Sequence, residues 1–198
     1  MTGTQPKSTH VALSELECVG SNLQSAPEVQ YIARSVDVFS SLGLERFVPT
    51  PPLKDGSLRE IWATPNFLHW FGKELEQITP DDPDDPTPIA QVYAKFHRFC
   101  EGRKMVYPHD IRNLRPVHKA VWELKTTDVR LFGWFPSRNC LILHSGADAN
   151  FLHAASEEDR WLPYVDAIEQ YILELDNPAI VPITGTETEH VLSNRTFS

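Results

Sequence analysis

The order of hydrophobic patterns along this chain predicts an α+β fold. Three observations carry the prediction. An alternating segment at residues 58–64 leads into two stretches of helical periodicity. Three short strand-like segments then follow one another across connections of two and three residues. A long amphipathic stretch closes the series, so residues 58–175 read as strand, helix, helix, strand, strand, strand, helix.

Each element has a local reason. In Leu58-Arg59-Glu60-Ile61-Trp62-Ala63-Thr64 apolar and polar side chains alternate, and the run ends in Thr64-Pro65, a capping residue followed by one whose fixed φ suits a first helical turn. The helix so opened carries Phe67, Trp70, Phe71 and Leu75 on one stripe and must stop before Pro80. The run Asp81-Asp82-Pro83-Asp84-Asp85-Pro86 is too acidic and proline-rich to pack, and reads as a solvated connection rather than a metal site. A second helix over residues 88–102 buries Ile89, Val92, Tyr93, Phe96 and Phe99 and stops at Gly102. Beyond a charged loop, strands are predicted at residues 120–125, 128–135 and 139–144. Their links, Thr126-Thr127 and Pro136-Ser137-Arg138, admit hairpins and exclude parallel crossovers, which need about a dozen residues. The last helix, residues 157–175, lines up Trp161, Val165, Ile168, Ile172 and Leu175 and ends at Asp176-Asn177-Pro178.

Two flanks complete the chain. Residues 1–57 form an N-terminal extension with one helix at residues 27–44, then a joint at Val48-Pro49-Thr50-Pro51-Pro52. That extension is expected to pack along the domain or to mediate homo-oligomerisation; disorder is the competing reading for the polar residues 1 to about 26. Residues 176–198 read as an extended tail.

Composition narrows the function. With 198 residues, 41% of them hydrophobic, the chain can bury one core of moderate size. Three scattered cysteines, Cys18, Cys100 and Cys140, make neither a disulfide framework nor a zinc site, and neither a signal-peptide pattern nor a membrane-spanning apolar run occurs. The expected location is the cytoplasm. Dinucleotide, P-loop, zinc-protease and nucleophile-elbow signatures are all missing, so no cofactor is expected. The formal charge of −9 argues against the whole molecule binding nucleic acid, but residues 95–138 hold ten basic side chains against four acidic ones. Such a concentration can hold a phosphate backbone; an ordinary solvated surface is the competing reading.

Three segments, taken in order, resemble the RelE/HigB-like toxins of type II toxin–antitoxin systems, and especially their phage-derived HigB-like branch. IWATPNFLHWFGKEL looks like the opening strand and helix of that family, VWELKTTDVRLFGWF like its central hairpin with a strand arginine, and NCLILHSG like its last strand with an apolar-apolar-His ending. The resemblance covers residues 58–175. It implies a small curved antiparallel sheet with helices packed on one side, and a metal-independent endoribonuclease that cleaves messenger RNA on the ribosome and is held inactive by an antitoxin. Such catalysis relies on basic side chains that stabilise an in-line transition state, with an acid or base moving the 2′-hydroxyl proton.

The candidate residues follow. Alternation along the central strand puts Arg130, Phe132 and Trp134 on one face and Val129, Leu131 and Phe135 on the other, the better core. Arg130 then projects from an open face beside two rings able to stack on bases, and it matches the family's strand arginine. A cross-strand ion pair with Glu123 is the structural alternative. His144 matches the family's strand-end histidine and is the candidate acid or base. Lys125 completes the catalytic set, and Arg115, Lys119, Arg138 and Trp134 are the candidate RNA-binding residues, although Trp134 also suits simple packing. The chain departs from the family after His144, where a lysine-rich element is replaced by a stretch with four acidic residues before Arg160. That departure motivates the alternative function, a non-catalytic interaction protein of phage or mobile-element origin on the same fold.

Overall fold

The structure, a computed structural model, describes residues 38–153 and 157–195. Residues 27–37 of the expected helix, the polar segment before it and Cys18 lie outside them. Strand β1 (Glu45–Arg46) precedes β2 (Glu60–Ala63), helix α1 (Pro65–Lys73) and helix α2 (Pro88–Glu101). Then come β3 (Ile111–Asn113), β4 (Val121–Lys125), β5 (Val129–Ser137), β6 (Cys140–Asp148), α3 (Ala149–His153), α4 (Glu157–Leu175) and the short α5 (Thr188–Val191). Among the described residues no helix is long and apolar enough to cross a membrane.

The predicted punctuation works as expected. The Thr64 hydroxyl accepts the Phe67 N–H at 3.2 Å, with Pro65 at the first position of α1. Thr87 does the same for α2, and Gly102, at φ +87°, ends that helix in the left-handed region. Helix α1 stops at Lys73, and a single 3-10 turn at Leu75–Gln77 brings the chain toward Pro80.

The six strands form one sheet in the order β1-β2-β6-β5-β4-β3. The meander β3 to β6 is antiparallel, as the short links require. The sheet as a whole is mixed, because β2 runs parallel to β6, with Glu60 opposite Cys140 and Ala63 opposite Leu143. Two helices and three strands separate these partners, which is ample for a crossover. Strands β1 and β3 go beyond the expected elements: two and three residues are too few to show a period.

Helices cover both faces, which corrects the expectation of a one-sided sheet. On the first, Ile61, Leu124, Val129, Leu131, Phe135, Leu141 and Leu143 meet Phe67 and Trp70 of α1 and Val92, Phe96 and Phe99 of α2. The Trp70 ring lies where Gly146 has no side chain; a Cβ there would sit 2.3 Å from it. On the second, Trp62, Phe132, Trp134 and Ile142 meet Trp161, Val165 and Ile168 of α4, with Phe39, Leu44 and Ile180 at the margins. The reason is the strands' own composition. Where large apolar side chains point both ways, one solvated face would leave three or four of them in water, each at a cost of about 1.5–3 kcal/mol.

Both flanks belong to the packed body. Phe39 and Leu44 are buried and β1 extends the sheet, so residues 39–46, assigned to the N-terminal extension, pack on the domain. The C-terminal segment is packed rather than free: Ile180, Val191 and Leu192 are buried. A fully buried Arg59 fastens it. The guanidinium donates to Ser193 O (2.8 and 3.0 Å) and Asn194 Oδ1 (2.8 Å), and on its other side to Phe99 O (3.2 Å) and Arg103 O (2.9 Å). The cation thus meets carbonyls at and just beyond the C-terminus of α2, where positive charge is favoured. Burial lowers its pKa to about 10, which leaves it charged at neutral pH.

Candidate functional site

Three adjacent strands bring a row of charged side chains to the α4 face. Arg112 on β3 stands opposite Glu123 on β4, and Lys125 on β4 stands opposite Arg130 on β5. Glu123 is 1% exposed and is the hub. Its Oε2 accepts the Nε–H of Arg112, its Oε1 lies 3.4 Å from Arg130 Nε, and Lys125 Nζ lies 3.8 Å from its Oε2. The expected Arg130–Glu123 contact is present, on the diagonal of the ladder rather than directly across it.

The cations are positioned further by their surroundings. Arg130 Nη1 donates to the carbonyls of Thr126 (2.6 Å), in the turn before its strand, and Val129 (3.0 Å), the first residue of that strand, and its side chain is 11% exposed. Arg112 stacks over the ring of Trp161, 4.6 Å from its centroid. Beside them Phe132 stacks on Tyr164 with centroids 4.6 Å apart. The result is a preset group of guanidinium and ammonium heads among aromatic rings, at the margin of α4.

The other candidates lie apart. Trp134 is fully buried and donates its ring N–H to Ile180 O at 2.6 Å, so it is a core residue, not a platform for a base. The open face assumed for Arg130, Phe132 and Trp134 is roofed by α4. His144 shares that face, but its ring is buried, with Nδ1 2.8 Å from Ser145 Oγ and the Tyr171 ring 5.0 Å away. Burial lowers its pKa to about 4, so the imidazole is neutral at pH 7 and does not serve as an acid. Lys119 is held by Asp166 and Glu169 of α4, both at 2.8 Å. Arg138 sits at the opposite end of the β5–β6 pair and donates to Leu192 O at 3.1 Å. Arg115 is exposed in the loop after β3.

No family model, curated protein or solved structure matches this chain. Function must then follow from the geometry of the site. Sequence reasoning missed Arg112, whose strand is three residues long and embedded in a charged loop. The one available signal was Ile111-Arg112-Asn113 itself, where the arginine takes the outward position between two buried neighbours. A separate cavity of about 560 Å3 opens between β1, β2, α1 and α2, walled by Phe47, Phe67, Phe71, Tyr93 and Phe96. Its guanidinium, on Arg46, is engaged by Glu60 at 2.5 Å.

Proposed function

We propose that this chain is an RNA-directed toxin of the RelE/HigB-like kind, a metal-independent endoribonuclease that acts on messenger RNA with the ribosome and is restrained by a partner antitoxin. The observation that carries this reading is the convergence of Arg112, Lys125 and Arg130 from three adjacent strands upon Glu123, at the place where the resemblance puts the family's strand arginine. The order of elements over residues 58–175 supports it too. In the corresponding chemistry the 2′-oxygen attacks phosphorus in line, the bond to the 5′-oxygen breaks, and a cyclic phosphate and a 5′-hydroxyl are left. Cations held in place before the reaction stabilise the added negative charge without reorganising. Arg130, held by its turn carbonyls, suits that role.

A second reading, a non-catalytic interaction protein on the same fold, is favoured by one specific observation. His144, the candidate acid or base, is buried against Tyr171 and so is withdrawn from proton transfer at the cation row.

Controlled induction in bacteria separates the two. Wild type should arrest growth and cut translated messenger RNA. Arg130→Ala and Arg130→Lys, at matched soluble levels and with melting temperatures checked, should lose at least tenfold in cleavage, about 1.4 kcal/mol in transition-state terms. Intact messenger RNA on translating ribosomes exposed to folded, inhibitor-free wild type would overturn the toxin reading in favour of the interaction protein.

A further inference from the structure

A second cavity, of about 390 Å3, lies at the end of the β4–β5 hairpin, between the turn Thr126-Thr127 and the outer side of α2. Its chemistry is polar and mainly cationic. Lys95 and Arg98 enter from α2, His109 and Asp110 from the loop before β3, and Lys125 from the end of β4. The one carboxylate in this lining is already occupied. Asp110 Oδ1 takes Lys95 Nζ at 2.5 Å and its Oδ2 takes the Val106 N–H at 2.9 Å. Burial by itself would raise this carboxyl, but Lys95, the Val106 N–H and nearby Arg98 outweigh it and hold it below the ordinary range. The side chains of Arg98 and His109 are exposed and make no hydrogen bond or ion pair with another described residue.

Three features select the ligand. A lone carboxylate already bound to a lysine does not hold a metal cation, and the lining has no Phe, Tyr or Trp ring for an apolar molecule. Residues that carry nitrogen donors line it instead from a helix, a loop and a strand end, a composition that suits a tetrahedral anion. Lys125 then links the cavity to the row described above, since it lines one and lies 3.8 Å from Glu123 in the other.

We propose that this cavity is a phosphate subsite for an RNA backbone, with Arg98, His109 and Lys95 as its donors, further along the strand from the Arg112, Lys125 and Arg130 row. The inference rests on the RNA-directed reading of that row. The test is the affinity of the full chain for a short fluorescent oligouridylate, measured against salt for wild type, Arg98→Gln/His109→Gln and Arg98→Lys. Both substituted side chains are exposed, so the fold should be kept, and thermal melting checks it.

The double variant should bind roughly tenfold more weakly at low salt, with a salt dependence flatter by about 0.7 for each phosphate no longer neutralised, and Arg98→Lys should bind nearly as well as wild type. If the double variant binds like wild type while Lys125→Ala is weakened, the subsite is refuted and the RNA-directed reading stands. If wild type binds no RNA, both fall. Inorganic phosphate at matched ionic strength should displace the oligouridylate more readily from wild type than from the double variant; phosphate binding lost in the double variant without any loss of RNA affinity would assign the cavity to free phosphate and overturn the proposal.

Discussion

At the scale of single residues, His144 has the clearest consequence. Its folded pKa of about 4 lies below the ordinary histidine value of 6.5, so the unfolded chain takes up the proton first as pH falls. Stability is therefore full above pH 6.5 and declines between 6.5 and 4, by up to about 3 kcal/mol. Denaturant unfolding at pH 7 and pH 4.5 checks this against His144→Gln: the variant should gain about 2 to 3 kcal/mol relative to wild type on acidification. Equal acid sensitivity in the two proteins would refute it. The strand arginine and its carboxylate partner were legible in the sequence because alternation gives face and spacing. The burial of His144 was not, since it depends on α4, whose position on the sheet no local pattern in β6 encodes; for Trp134, packing was already one of the two readings of its ring.

At the scale of elements, the β5–β6 pair is the spine of the sheet, and its weak point is a glycine. The register slips between Phe132 and Gly133, and at Gly133 the neighbouring backbone comes so close that a Cβ would stand 2.0 Å from Ile142 O. Because that contact is backbone, no side-chain rotation relieves it. Gly133→Ala should cost about 3 kcal/mol or more, read as a fall in melting temperature of many degrees. A variant that melts like wild type would contradict the geometry. The helices and the three long strands were readable from period and capping, whereas β1 and β3 exist through pairing with β2 and β4. Phe132 and Trp134 are visible in the sequence as large apolar side chains opposite Leu131 and Phe135, but nothing local in β5 says that α4 is what covers them.

At the scale of the whole molecule, Arg59 ties the end of α2 to the C-terminal segment. Arg59→Met keeps much of the length of the side chain but removes donors from Ser193, Asn194, Phe99 and Arg103 together. Phe99 O keeps the Gly102 N–H, but the other acceptors lose these bonds, which should cost about 3 kcal/mol. Limited proteolysis checks this: cleavage after residue 177 should speed up in the variant before the sheet core is cut. Unchanged cleavage would mean that Ile180, Val191 and Leu192 hold the segment without the arginine.

The parallel pairing of β2 with β6 has a consequence in time. Partners that meet as Glu60 with Cys140 are separated by most of the domain, so on a ribosome α1 and α2 emerge well before the strand that completes their platform. Contacts of such long sequence separation form late and slow the overall reaction. During that interval the aromatic stripes of Phe67, Trp70, Phe96 and Phe99 are without their partners on β6, and the nascent chain is at its most adhesive. Birth of the last strand, rather than of the first helices, is the event that ends this exposure.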